Sequence, residues 1–282
     1  MKTALVFVAL LMLPAVAGAE ELETTHLFGF TVGSDVNNVG EKEAELENTG
    51  RFGKRAGTYA ALSSELGVKF IPFDNFSIEP EVSFARHDIS GVPGLDNQNQ
   101  AAFDAFTFET RYRLLERERG PFGLTLGFDP HWGRLDEISG QPVDDFGARF
   151  LITVDKELIE ERLFAAVNLV YEPDAERSRI TGAWQSQSDF ETSAALSVQL
   201  QPGFLIGAEA RYLSAYDGLG LNSFAGHALF AGPTLYWKIS KLYWMSAAWS
   251  VQIAGHAAND TSPLDLTNFE RQQAVLRFGY NF

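Results

Sequence analysis

The last eleven residues, Gln272-Gln273-Ala274-Val275-Leu276-Arg277-Phe278-Gly279-Tyr280-Asn281-Phe282, decide the fold. Counting back from the end, Phe282, Tyr280, Phe278, Leu276 and Ala274 are apolar. Asn281, Gly279, Arg277 and Gln273 between them are polar or small, and only Val275 departs from the pattern. A period of 2 describes a strand with one apolar face and one polar face. The rest of the chain shows whether that apolar face meets a soluble core or lipid.

Working outward, the same alternation recurs from residue 24 onward in twelve segments. They fall at 24–35, 57–71, 76–88, 102–115, 121–134, 143–156, 162–173, 188–200, 204–215, 226–238, 242–255 and 269–282. After the even segments the links are short, as in Pro72-Phe73-Asp74-Asn75, Gln201-Pro202-Gly203 and Ile239-Ser240-Lys241. After most odd segments they are longer and polar, as in Val36 to Ala56, Ile89 to Ala101 and His256 to Asn268. Short turns on one rim and long loops on the other are the layout of an outer-membrane barrel with both termini on the periplasmic side.

One parity stays apolar along each segment. Leu62, Leu66, Val68 and Phe70 share a face, as do Phe106, Phe108, Tyr112 and Leu114, and Phe146, Phe150, Ile152 and Val154. These read as lipid-facing. Rings cluster beside the short turns at Phe70, Phe73, Phe76, Phe122, Phe164, Phe204, Tyr236, Trp237, Tyr243 and Trp244, as an interfacial aromatic girdle would. Pro80 and Pro233 fall inside strands, where each removes a ladder hydrogen bond, so local breaks are expected there. Arg86 sits on the lipid phase and is tolerable only near a rim.

A chain that ends on a free Phe in phase with such a face resembles the closing strand of a bacterial outer-membrane β-barrel. The resemblance implies an all-β fold, a transmembrane antiparallel up-and-down β-barrel of about 12 strands. It also implies that Phe278, Tyr280 and Phe282 form the insertion signal read by the barrel-insertion machinery. Shorter matches at Phe164 to Tyr171, Gly207-Ala208-Glu209 and Gly232-Pro233-Thr234 resemble transporter barrels linked with the phenol-degradation meta pathway. That likeness implies uptake of small or aromatic compounds.

The amino terminus and composition agree. Lys2, the apolar run Ala4 to Leu13 and Ala17-Gly18-Ala19 have the layout of a secretory signal peptide at 1–19, leaving 20–282 as one barrel domain. The absence of Cys excludes a lipoprotein anchor and a disulfide framework, and beyond residue 19 no run of 18 apolar residues occurs. A net charge of −15 argues against nucleic acid as a partner.

The polar parity gives the lumen candidates. They are Glu65, Lys69, Glu79, Glu81, Glu109, Arg111, Arg113, Arg149, Glu172, Glu209, Arg211 and Arg277, with His87, Asp129, His131, Asp155, Asn168, Gln199 and Gln252 on the same face. In an open barrel such residues select small solutes by charge and size. In a narrow or plugged one they form a paired structural interior, and about 12 strands lies between the two cases. The acidic loop 36–56, with Glu41, Glu43, Glu45 and Glu47, reads as a solvated outer loop, with contact to a divalent cation or lipopolysaccharide as the functional alternative. Asn259, Asp260 and Asp265 lack the spacing of a calcium loop.

For an enzyme, a nucleophile would need a base within reach. His87-Asp88-Ile89-Ser90 places His and Ser on opposite faces of an extended segment. Asp144-Asp145 resembles the acidic pairs of outer-membrane proteases but has no Asp-His pair beside it in sequence. The expectation is therefore a monomeric, non-enzymatic channel for a small-molecule solute, in contact with outer-membrane lipid and lipopolysaccharide, with no cofactor and no metal implied. The alternatives are a structural or surface-interaction barrel with a closed polar interior and, after it, an outer-membrane lipid hydrolase.

Overall fold

The computed structural model describes residues 22–282, so the expected signal segment lies outside the described residues. Twelve antiparallel strands form one closed barrel: β1 (Lys42–Phe52), β2 (Thr58–Phe73), β3 (Phe76–Ser90), β4 (Gln98–Leu115), β5 (Gly123–Leu135), β6 (Pro142–Ile159), β7 (Leu163–Ser178), β8 (Trp184–Gln201), β9 (Phe204–Asp217), β10 (Phe224–Lys238), β11 (Tyr243–Ala257) and β12 (Gln272–Asn281). Each strand pairs with its sequence neighbours, and β1 closes on β12 from Glu43 opposite Asn281 to Phe52 opposite Gln272. Closure leaves no free sheet edge, which is the condition for a sheet to cross hydrocarbon.

The strands run from 10 to 18 residues, whereas about 9–11 suffice to cross a bilayer when tilted. The surplus projects past the membrane, and it shortens the outer connections to 53–57, 91–97, 136–141, 179–183 and 218–223, with 258–271 the long one. On the other rim two turns contain two residues each. Asn75 there has φ 64°, a region Asn tolerates better than most residues, and Gly203 follows Pro202 with φ 75°, as a type II turn requires.

The outer wall is the apolar parity read from the sequence. Leu62, Leu66, Phe84, Phe106, Phe128, Phe150, Leu169, Ile206, Phe278 and Tyr280 are all exposed on it. The prolines break the ladder as expected, each on one side. Pro80 pairs with Phe108, but pairing to β2 skips from Glu81 to Ile78; Pro233 pairs with Ala208, but pairing to β11 skips from Ala231 to Thr234. Arg86 lies four residues from the outer end of β3, where water can reach it.

Three expectations are corrected. Residues 24–35 are not a wall strand; they lie inside the barrel, and Phe28, Phe30 and Val32 share a parity with Thr24, so no face of the segment is purely apolar. The first strand is instead β1, within the stretch read as a solvated loop. There Glu43, Glu45 and Glu47 point inward while Ala44 and Leu46 point out. Finally, Phe164, Tyr236 and Trp244 are not part of the girdle: they are 2–5% exposed and face inward, packed in one cluster with Leu27 and Phe28.

Candidate functional site in the barrel lumen

The lumen is organised by residues 22–36. They enter from the rim that carries the short turns, where Leu22 O accepts a hydrogen bond from Arg117 (3.3 Å). The chain then rises, turns at Gly29 and Phe30, and descends again to Asp35. An isolated bridge from Phe28 to Thr31 and the Gly33 N–H to Thr25 O bond (3.1 Å) make it a hairpin. Gly29 has φ +86°, and a side chain there would meet Ala248 Cβ at 2.6 Å, so glycine alone fits the tip.

Polar wall groups satisfy the hairpin backbone, which has no sheet partner of its own. Glu209 accepts the Thr31 N–H (3.0 Å), and Asn168 both accepts from Val32 N–H and donates to Val32 O (each 2.8 Å). Asp155 accepts from Ser34 N–H (3.1 Å), Ser34 Oγ (2.5 Å) and Thr24 Oγ1. Arg111 donates to Gly33 O and Arg277 to Gly29 O. The Arg211 guanidinium lies 4.0 Å over the Phe30 ring. Leu27, Phe28, Thr31 and Ser34 are completely buried, so this level of the lumen is filled.

Beside and above the hairpin tip the interior is a charged belt. Lys69 bridges Glu43 (3.1 Å) and Glu79 (3.4 Å), and Arg277 holds Glu47 (2.5 Å) and Glu45 (3.4 Å). Arg211 forms a two-pronged contact with Glu191, each bond 3.0 Å, and donates to Gln273 (2.6 Å). Glu65, Glu81, Glu109, Arg149 and Glu172 are inward yet only half-buried, so water has room beside them. Glu47 stands opposite Glu65 and Glu79 opposite Glu109, like-charge pairs that disfavour the dry state. Nearer the outer rim, connection 258–271 folds inward: Lys54 donates to Phe269 O (2.8 Å), and Phe269 packs on Phe230. Connection 136–141 is tied down by Tyr59 Oη to Ile138 O (3.0 Å) and by His87 to Glu137 O (2.9 Å).

The structure therefore places every lumen candidate inside the barrel, but in separate roles. Arg111, Glu209, Arg211 and Arg277 hold the hairpin. Arg113 serves the short-turn rim, donating to Asn75 Oδ1 (3.0 Å) and Glu116 (3.2 Å). Glu65, Glu81, Glu109, Arg149 and Glu172 line the wetter middle. Sequence reading missed Glu43, Glu45 and Glu47, although Glu43-Ala44-Glu45-Leu46-Glu47 is itself a period-2 run. It also missed the meeting of His131 with Asp145 and Asp174, which only the pairing of β5, β6 and β7 produces.

A closed barrel with an apolar belt outside and a charged interior is an integral protein of the bacterial outer membrane. One comparison bears on the fold. The solved outer-membrane channel COG4313 from Pseudomonas putida F1 is similar over 88% of this chain and 98% of its own, with TM-score 0.60 and 14% identity. The NanC porin covers 84% and 98% with TM-score 0.49 and 10% identity. No curated protein matches the sequence. The family is shown directly: the chain belongs to DUF6662, a family of unknown function, whose model matches residues 20–282.

Proposed function

We propose that this barrel is a plugged outer-membrane channel for small solutes, in which the hairpin 22–36 closes the short-turn half of the lumen and must be displaced for passage. One observation carries this reading. Most of the hairpin is buried, and beside the apolar packing of Leu27 and Phe28 its backbone is held by polar side chains of the wall, while Glu65, Glu81, Glu109, Arg149 and Glu172 beyond it are only half-buried. Hydrogen bonds can be exchanged for bonds to water one at a time, at a net cost of about 1 kcal/mol between neutral groups and about 1.5–3 kcal/mol where one group is charged, so this polar part of the contact can be released stepwise. The lumen carries more carboxylates than Lys and Arg, and Glu65, Glu81 and Glu109 lie beyond ion-pair distance of any cation among the described residues. Uncharged and cationic solutes are therefore favoured over anions. The likeness to a solved channel supports the architecture this reading needs.

The test is conductance in planar bilayers for the chain with and without residues 22–36. Rare small steps from the full chain and sustained larger steps from the deletion are expected, with a cation-selective reversal potential in a KCl gradient. Inserted barrels that stay silent in both forms would overturn the channel and leave a structural barrel. Fatty-acid release from phospholipid would instead make it an enzyme.

A further inference from the structure

We propose that His131, Asp145 and Asp174 form a binding site for a divalent transition-metal ion of the zinc class in the outer part of the lumen. This goes beyond the channel reading and does not depend on it, since a silent barrel could bind the ion equally well.

The three residues come from adjacent strands. His131 of β5, Gly147 of β6 and Asp174 of β7 stand in one cross-strand row, and Asp145 is two residues along β6 on the same face. Because Gly147 has no side chain, its neighbours lean in over it: a Cβ there would lie 2.6 Å from His131 Nε2 and overlap the Asp174 carboxylate. His131 Nε2 is 3.2 Å from Asp145 Oδ2 and 3.0 Å from Asp174 Oδ1. The three ligand atoms lie within 4.8 Å of one another.

Proton chemistry satisfies this arrangement only in part. A ring nitrogen carries at most one proton and cannot donate it to both carboxylates. Asp174 is 8% exposed, and its Oδ1, like Asp145 Oδ1, is buried without a hydrogen-bond partner. No Lys or Arg completes the cluster: among the described residues the ion pairs of Asp145 and Asp174 are with His131 alone. The nearby Arg134 and Arg179 are turned to Asp144 at 3.4 and 3.9 Å. A dication bound to Nε2 and to one oxygen of each carboxylate replaces the shared proton and neutralises both charges.

The spacing and donor set select the ion. Ligands about 2.1 Å from a common ion are about 3.0 Å apart when octahedral neighbours and about 3.4 Å apart in a tetrahedron. The observed 3.0 and 3.2 Å fall in that interval. One imidazole and two carboxylates suit Zn²⁺, Mn²⁺, Fe²⁺ or Co²⁺, whereas Ca²⁺ and Mg²⁺ prefer oxygen alone. Three protein ligands leave a coordination position open to water or a solute. The second cluster of this composition, His26, Glu43 and Glu45, already holds a cation: Lys69 Nζ sits 3.1 Å from Glu43 and 3.4 Å from His26.

The experiment uses the untagged barrel in detergent, stripped with EDTA, dialysed and titrated with ZnCl₂ by calorimetry. One ion per chain is expected. Gly147→Ala, which keeps all three ligands but fills the space beneath them, should weaken binding at least tenfold, as should His131→Ala and Asp174→Asn, while His26→Ala leaves it unchanged. Each variant is checked for the folded barrel by heat-modifiable migration. If the ligand variants do not fold, Cu²⁺ bound to the His26→Ala barrel should show coupling to a single imidazole nitrogen in its pulsed EPR spectrum. No saturable 1:1 binding, binding unaffected by folded His131→Ala, or a Cu²⁺ spectrum without nitrogen coupling would each overturn the site.

Discussion

Replacing Asp155 with Asn should loosen the hairpin without opening the barrel. Asp155 takes three hydrogen bonds from the hairpin, from Thr24 Oγ1, Ser34 N–H and Ser34 Oγ, and is 2% exposed. A hydrogen bond to a charged group contributes about 1.5–3 kcal/mol. The three share one carboxylate and are not additive, and the amide keeps one acceptor while turning an NH₂ toward the donors. A net loss of about 3 kcal/mol follows, roughly two decades in the local opening equilibrium. Amide exchange in detergent reads this directly, because the Thr31, Val32, Gly33 and Ser34 N–H groups are bonded to Glu209, Asn168, Thr25 O and Asp155. In Asp155→Asn these amides should exchange about 100-fold faster while those of β1 to β12 keep their rates. Wild-type rates across residues 31–34, or an equal loss of protection in the strands, would refute the hairpin as a separately moving unit.

Other expectations follow from the same contacts. The chain has no Cys, so Ser34→Cys with Gly123→Cys creates a single possible disulfide. A Cβ at Gly123 lies 3.0 Å from Ser34 Cβ, within about 1 Å of disulfide spacing, so oxidation should suppress channel openings and a reductant restore them. Asp260 in connection 258–271 is held down to about 2 by the hydrogen bond from Arg55 and by Ser262. A depressed carboxylate contributes above its unfolded value near 4 and loses that contribution as pH falls toward 2. Protease cleavage in 258–271 should therefore be flat from pH 7 to about 4 and rise below it, and Asp260→Asn should remove the dependence. Phe282→Ala should lower the yield of heat-modifiable barrel in cells yet leave refolding in detergent unchanged, because the Phe282 side chain is exposed and its N–H still reaches Lys42 O (3.0 Å).

The wall was legible because lipid imposes a simple rule, apolar on every second residue, and from β2 to β12 the sequence keeps it with few exceptions, such as Ser64 and Arg86. The interior was legible by parity alone: Lys69, Glu209 and Arg277 were placed inside, but not what each would touch. The failure at 24–35 has a physical cause. A segment surrounded by barrel wall has no lipid side, so Leu27, Phe28, Phe30 and Val32 can occupy both parities, and over a short stretch this passes for alternation. The opposite error at β1 arose because alternating Glu suggests a solvated loop, whereas charge on one parity with Ala44 and Leu46 on the other is a strand facing water inside and lipid outside. His131, Asp145 and Asp174 are scattered along the sequence, and no spacing rule brings together residues that meet only through register.

The two halves of the lumen carry different chemistry. In the short-turn half, polar wall groups end on the hairpin: Asp155, Asn168 and Glu209 meet its N–H groups, Arg111 and Arg277 its carbonyls. In the middle, Glu65 faces Glu47 and Glu109 faces Glu79 without a full complement of cations. Like charges opposite each other lower stability unless water or a bound cation screens them, so a barrel whose only task was to stand in the membrane would gain by replacing them. Their presence on the inward face beyond the hairpin is what the proposed channel would need of a vestibule, where solute enters before the hairpin is displaced. Glu65→Gln with Glu109→Gln should accordingly stabilise the barrel to urea while lowering its preference for cations. If both stability and selectivity were unmoved, the belt would be inert lining.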